Sequence, residues 1–394
     1  MIILNTREMS GNTPFFSASL KGGKSAAALI LLLRCAITGE KPDMDCLEGL
    51  DLSALYSLAE RHSLAAATNI GLEYIGIQDT HFREAYAKAL RKVLSLETDK
   101  HKLLFMMEEQ GIWYMPLKGA VLKDVYPRIG MREMSDYDIL YDAERDEDVR
   151  KILTGMGYIV EEYDVHSVDS YVKPPVCRFE MHRKLIPPHM DNIYKYYHDI
   201  KSRLVKDEGN GFGWHFLQED FYVYLLVHEY KHYMAGGSGL RSLLDTWVFL
   251  RKYGEELNWD YIENELDILG IREFEEENRC LTIALFQGVS LNAQQMKLLD
   301  YIMGSGTFGT VGNAVQQQVE RLGGGLRGKL LFIKERVLMP KKALESAYPF
   351  FYRHKALIPF LYPYRTWKLF FRSRKKVTAE LKALLGTNKK EKNK

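Results

Sequence analysis

Several absences narrow the reading of this 394-residue chain before any motif is considered. Its four cysteines, Cys35, Cys46, Cys177 and Cys280, are widely scattered and form no Cys-x-x-Cys pair, so they offer neither a recognisable zinc site nor a disulfide framework. Charge of one sign is scarce: 54 Lys and Arg meet 52 Asp and Glu, and a net charge of +2 gives no strong global field. Long apolar runs are missing too. Ala26 to Leu33 is cut by Arg34, well short of the roughly 20 residues that span a bilayer, and reads as a buried helix. Met1 to Arg7 lacks a basic region followed by an apolar core and a small-residue cleavage site, so no secretory leader and no stable membrane insertion are expected. A reducing cytoplasm fits. With 46% hydrophobic and 27% charged residues, the chain has enough apolar material for two or three ordinary domains.

What is present concentrates between Met115 and Tyr141. Asp136 and Asp138 flank Tyr137 and precede Ile139, Leu140 and Tyr141, all good strand formers, so period-two alternation predicts both carboxylates on one face. Two like charges so close need a cation, and oxygen ligands suit magnesium. Upstream, Ile112 to Leu117 reads as a strand that breaks at Gly119, and Ala120 to Tyr126 as a helix stopped by Pro127. The first N–H groups of such a helix make a phosphate site, with Lys118 as a mobile cation and Arg128 and Arg132 nearby. Downstream come a charged helix from Glu144 to Met156, stopped by Gly155 and Gly157, a strand from Tyr158 to Tyr163 and another from Cys177 to Lys184. On this last strand Arg178, Glu180 and His182 share a face. Glu180 can then reach the Asp pair as general base for an incoming hydroxyl, with His182 beside it. The predicted class is α+β, a small mixed sheet with helices on one side.

These residues resemble the nucleotidyltransferase core of the DNA polymerase beta superfamily. They are most similar to the bacterial uncharacterised nucleotidyltransferases called nucleotidyltransferase family five, through Lys118, Gly119, Tyr126, Arg132, Asp136, Asp138 and the Glu-x-His of Glu180 and His182. The likeness covers roughly residues 50 to 370. Gly119-Ala120 stands where most of the superfamily has Gly-Ser. The resemblance implies Mg2+ at Asp136, Asp138 and Glu180, with room for two metals, and nucleoside triphosphate phosphates at Lys118, Gly119 and Arg132. It also implies an acceptor side formed by His182, His228, His232 and Asp245, the acceptor being a hydroxyl on a small molecule, protein or RNA.

The rest divides into a helical region over 1–110, the core over 111–205 and a helical region over 206–394. Helices are expected from Leu52 to Ala67, where His62 reads as structural, and from His81 to Met107. His228-Glu229-Tyr-Lys-His232 fits the zincin spacing on a helix from Phe221 to Met234, which makes a zinc metallopeptidase one alternative. The turn Gly236 to Gly239 would bring Asp245 back to orient an imidazole. Gly304 to Val311 has kinase-loop spacing without the rest of a kinase and reads as a connection. From Tyr348 to Lys376 aromatics interleave with Arg and Lys without an acid. Buried aromatics under basic heads are the favoured reading, and a non-catalytic nucleotide- or nucleic-acid-binding module is the other alternative. The Lys-rich end from Asn388 to Lys394 is expected to be disordered.

Overall fold

The computed structural model describes residues 23–164, 167–187, 190–209, 211–307, 309–338, 348–372 and 374–391; the expectations for Met1 to Arg7 lie outside them. Four helices lead in: α1 (Gly23–Thr38), α2 (Leu52–Arg61), α3 (Ala65–Tyr74) and α4 (Thr80–Glu109). The single helix expected over Leu52–Ala67 is two, because Ser63 adopts φ +53° and ends α2 at a corner. There His62 is fully buried, and its Nδ1 accepts the Leu240 N–H at 3.0 Å. Asp79 caps α4 by accepting from the His81 and Phe82 N–H groups.

Among the described residues seven strands follow, interspersed with helices: β1 (Tyr114–Pro116), α5 (Gly119–Leu122), β2 (Tyr137–Tyr141), α6 (Asp146–Gly155), β3 (Ile159–Glu162), β4 (Val168–Lys173), β5 (Cys177–His182), α7 (Asp191–Tyr196), β6 (Leu204–Lys206) and β7 (Trp214–Phe216). The main sheet has the order β1-β2-β5-β4-β3, in which β2 and β5 are parallel and the other pairs antiparallel. Sequence reading missed β4, although Val168, Ser170 and Val172 alternate there with Asp169, Tyr171 and Lys173 in strand fashion. Tyr137, Ile139, Tyr141, Tyr171, Phe179 and Met181 form one buried face, packed with Val93, Leu96 and Leu103 of α4 and Val149, Ile152 and Leu153 of α6.

Helices do not stay on one side. After β7 come α8 (Gln218–Met234), α9 (Leu240–Tyr253), α10 (Trp259–Leu269), α11 (Arg272–Gln287) and α12 (Ala293–Ser305). Met115 of β1 and Leu140 of β2 share a core with Tyr222 to Val227 of α8, Phe249 of α9 and Ile262 and Leu266 of α10, so helices also cover part of the second face. A further core joins α1, α2 and α3 to Leu243, Leu244 and Trp247 of α9 and to Leu281 and Leu285 of α11. Helices before and after the sheet thus share one interior.

The chain closes with α13 (Val311–Arg321), α14 (Gly325–Val337), α15 (Pro349–Arg353), α16 (Ile358–Arg372) and α17 (Arg374–Glu391). Helix α17 runs to Glu391, and 392–394 of the expected Lys-rich end lie outside the described residues. The aromatic segment does not bury its rings as expected. Phe360, Tyr364 and Trp367 are 68%, 44% and 56% exposed on α16, while Leu361 and the basic Arg365 turn inward, Arg365 Nη2 donating to the Arg336 carbonyl at 3.1 Å. The side chains of Phe370 and Phe371 lie outside the described residues.

The glycines of the kinase-like loop have a packing reason. Gly309 has φ +68°, and a Cβ there would sit 2.8 Å from the Gly236 carbonyl carbon; one on Gly239 would meet the Gly306 carbonyl carbon at the same distance. The Thr310 N–H donates to Gly236 O at 3.1 Å, and the Thr307 N–H to Arg61 O at 3.1 Å. Two glycine turns thus approach backbone to backbone, which side chains would forbid. Gly270 also has a positive φ, +70°, but nothing lies near its missing Cβ. Gly270→Ala should therefore cost only about 1–2 kcal/mol of backbone strain. Gly309→Ala should cost roughly 1–3 kcal/mol more through overpacking; equal urea midpoints for the two variants would contradict this packing.

Burial, with Arg61 adding to it, lowers the His62 pKa to about 4. The unfolded chain takes up this proton near pH 6.5 and the folded chain only near 4, so stability from neutral His62 is present above that window and declines as pH falls through it. Between pH 7 and 4.5 the parent should lose on the order of 2 kcal/mol more than His62→Gln, whose amide oxygen can still accept from Leu240. Parallel acid-denaturation slopes would refute the assignment.

Candidate active site

The parallel register sets Asp138 directly across from Glu180 and Leu140 across from His182. Neighbouring strands lie about 4.8 Å apart, and alternation turns Asp138, Glu180 and His182 to the face opposite the Tyr137–Ile139–Tyr141 core. Ligand atoms of Asp138, Glu180 and His182 lie within 4.8 Å of one another, the one group of three among the described residues able to hold a metal ion. Asp136, expected as a first ligand, is outside that trio. It precedes β2, and its charge acts on Glu180 together with that of Asp138.

Asp138 is buried, and both Lys118 Nζ and His182 Nε2 lie 2.7 Å from its Oδ1. Although burial opposes ionisation, Lys118 first and then His182 hold this carboxyl well below the usual carboxylate range. Burial, with Lys118 adding to it, lowers the His182 pKa, so the neutral ring donates its Nε2–H to Asp138. The other two carboxyls have no such partner among the described residues. Burial followed by the charges of Asp136 and Asp138 pushes Glu180 up to about 7, and burial followed by Asp138 raises Asp136.

Lys118 reaches this position from φ +47° and ψ −118°, a region that side chains rarely adopt, so the β1–α5 turn holds backbone strain where its amine meets the site. The N–H groups of α5 beyond Gly119 do not add to the phosphate cradle expected after Lys118. Helix α5 is a single turn, and the N–H groups of Ala120, Val121 and Leu122 already donate to the carbonyls of Leu117, Lys118 and Lys118. Ala120 belongs to the α4–α6 core, so a hydroxyl at that position would point into apolar packing. Gly119 is needed for a different reason: a Cβ there would strike Arg132 Nη1.

Arg132 is likewise engaged elsewhere than expected. Its Nε and Nη2 donate to the two oxygens of Asp245 at 2.8 and 2.9 Å, and the Tyr126 hydroxyl donates to Asp245 Oδ1 at 2.7 Å. Arg132 does not offer its fork to phosphate, and Asp245 does not orient an imidazole. The two form a buried clamp that fixes the 126–132 loop to α9.

Helix α8 lies over the carboxylates. Lys118 and Asp138 act electrostatically on both His228 and His232, and Asp138 also acts on Tyr224. The two imidazole Nε2 atoms are 3.1 Å apart. Burial first, then neighbouring cations, lowers both histidines, His232 to about 4. The zincin reading fails at its glutamate: Glu229 is buried in the helix packing, accepting from Asn278 Nδ2 of α11 at 2.7 Å, and burial pushes it up to about 7.

Three cations facing the cluster escaped sequence reading. Lys231 is lowered by burial and then by Lys118, and feels Asp138 and Glu180; Arg241 and Lys92 both act on Asp136. Lys92 also donates to the Ser135 carbonyl at 2.6 Å. Lys231 had a usable signal, since Tyr224, His228 and Lys231 repeat at helical spacing on one face. Lys92 and Arg241 had none.

The protein is thus an α+β chain with a carboxylate–histidine cluster ringed by lysine and arginine. A family model described as uncharacterised nucleotidyltransferase matches residues 48–287, more than half of the chain, and the chain belongs to that family. No curated protein matches it, and no solved structure does.

If Arg132 and Asp245 are a clamp, Asp245→Ala should leave a buried guanidinium unpaired and lower stability by about 3–5 kcal/mol. The double variant Arg132→Met/Asp245→Leu should recover most of that. A double variant no more stable than Asp245→Ala in denaturant melts would show that the pair is not the unit described.

Proposed function

We propose that the protein transfers a nucleoside monophosphate group from a magnesium-bound nucleoside triphosphate to a hydroxyl of an acceptor. The observation that carries this reading is the register of Asp138 against Glu180 on parallel strands, with Asp136 beside them and Lys118 and Lys231 opposite, in a chain of the nucleotidyltransferase family. Three acids share a site in which burial first, and then the neighbouring carboxylates, push Asp136 and Glu180 toward protonation, so a bound cation would favour their ionised forms. Asp138, Glu180 and His182 would supply the donors for a divalent ion, and Asp136, whose charge acts on Glu180, would serve a second. Bound there, magnesium would supply Lewis-acid neutralisation of the triphosphate and of the leaving pyrophosphate.

The chain's own groups have separable tasks. Lys118 and Lys231 meet the phosphate oxygens. Glu180 accepts the proton of the acceptor hydroxyl as that oxygen bonds to the α-phosphorus, the α–β phosphoanhydride bond breaks, and pyrophosphate leaves with its electron pair. His228 and His232, neutral and facing the same space, hydrogen-bond the acceptor. The site suits a cytoplasmic enzyme working on soluble nucleotides.

Glu180→Gln is the informative variant, because Asp138→Asn would also strip Lys118 and His182 of their buried partner. The sign is worked from Glu180: its folded pKa, about 7, lies above the ordinary 4.5, so its ionisation lowers stability as pH rises through that window. Glu180→Gln should therefore melt higher than the parent at pH 8 without ligand, yet lose the magnesium-dependent stabilisation by ATP and all nucleotide transfer. Calorimetry showing unchanged magnesium-dependent triphosphate binding in Glu180→Gln/Asp136→Asn would overturn the proposal.

A further inference from the structure

The small net charge hides a strong separation. Residues 1–325 carry 35 Lys and Arg against 48 Asp and Glu, whereas residues 326–394 carry 19 against 4. The near-neutral whole is an acidic body joined to a basic C-terminal module. That module also exposes more apolar surface than packing of the body explains. On α14, Leu326, Leu330 and Ile333 are 75%, 60% and 46% exposed, at the spacing of one helix face. On α16, Phe360, Tyr364 and Trp367 repeat the same spacing, and on α17 Leu381 and Leu385 are exposed one turn apart. These helices are held to one another by side chains of opposite character: Arg336 of α14 pairs with Glu380 of α17, and Arg365 of α16 donates to the Arg336 carbonyl. Phe332 and Leu384 supply a small interior with Val315 and Val319 of α13. The module thus buries a few apolar residues and leaves a larger set outside, with Arg327, Lys329, Lys334 and Lys382 adjoining them in sequence.

We infer that this module docks the protein on an anionic lipid surface, with the apolar faces of α14 and α16 entering the headgroup boundary and the surrounding Lys and Arg meeting lipid phosphates. Three features choose lipid among possible occupants. Charge complementarity calls for an anion, and an excess of 15 positive charges over residues 326–394 disfavours a second copy of the same surface. Leu326, Leu330, Ile333, Leu381 and Leu385, five of the eight exposed apolar residues named, have no ring to stack on a base but suit acyl chains. Aromatic Tyr and Trp beside Lys and Arg are the side chains that favour the headgroup level. No helix among the described residues is long and apolar enough to cross a membrane, so the contact is peripheral and reversible. The body, with its excess of acid, is repelled from the same surface, which would orient the protein with its C-terminal helices toward the lipid.

The test is co-sedimentation of the full chain with vesicles of phosphatidylcholine alone or with 30% phosphatidylglycerol (roughly 30%, enough for a negative surface potential), in parallel with fluorescence anisotropy of a single-stranded RNA oligonucleotide. Binding is expected to the anionic vesicles only, falling about tenfold or more as salt rises from low to high ionic strength. Leu330→Ser/Phe360→Ser, both at exposed positions, should cut vesicle binding by about tenfold with an unchanged melting temperature. No binding to anionic vesicles would overturn the inference. So would vesicle binding indifferent to Leu330→Ser/Phe360→Ser, or tight RNA binding that those substitutions abolish while vesicles are ignored. Because the readout is lipid binding, its failure leaves the nucleotidyl-transfer reading untouched, and the reverse holds too.

Discussion

Everything in the candidate site is arranged around one buried oxygen. Asp138 Oδ1 receives both Lys118 and His182, each at 2.7 Å, in a place where an unpaired carboxylate would be costly. That double contact explains the strained backbone of Lys118, since the amine must reach across from the β1–α5 turn to a strand. It also explains why only this acid of the three is driven toward ionisation. With Lys118 and His182 engaged on Asp138, burial and then the Asp138 charge raise Asp136, and burial followed by the charges of Asp136 and Asp138 raises Glu180. One carboxylate is satisfied internally and two are not. That imbalance is what the proposed magnesium ion would relieve.

The second constraint is the rotation of α8. Each residue turns a helix by about 100°, so a shift of one position would carry His228 and Lys231 away from the sheet. Buried polar contacts on the far side prevent it: Tyr222 donates to Glu275 of α11 at 2.7 Å, and Glu229 accepts from Asn278 of the same helix. Glu275 is itself paired with Arg279 at 2.6 Å. The residue that completes the apparent zinc motif therefore works as a positioning residue for its neighbours, keeping the imidazoles on the sheet side while its own carboxyl stays in the packing.

Legibility in the sequence followed the range of the interaction. Asp138, Glu180 and His182 were readable because strand alternation is local and two periodic strands facing one way converge. Lys118 was readable only in company, since a lysine before a glycine gains meaning from the Asp-x-Asp strand that follows it. The clamp was not: Arg132 and Asp245 are separated by 113 positions, and nothing local distinguishes an arginine committed to a distant aspartate from one open to phosphate. The same limit hid the reason for Gly119, which makes room for that guanidinium. Strand β4 was missed with its alternation in plain view, and the exposure of Trp367 ran against composition, since an aromatic-rich segment ordinarily marks an interior.

The matched region extends well beyond the carboxylates, from residue 48 to residue 287, and the contacts give a physical reason for both ends. At its start lies the α2–α3 corner, where buried His62 receives the Leu240 N–H and so fixes the first turn of α9. Helix α9 carries Arg241, which faces Asp136, and Asp245, which holds Arg132 beneath Gly119. At its end lies α11, which supplies Glu275 and Asn278 to set the rotation of α8. A strand–turn–strand core alone would place Asp138 and Glu180 but would leave the lysine turn, the arginine clamp and the helix face unanchored. The helices on either side are in this sense part of the site, although none of α1, α2, α3 or α11 brings a side chain into the carboxylate cluster.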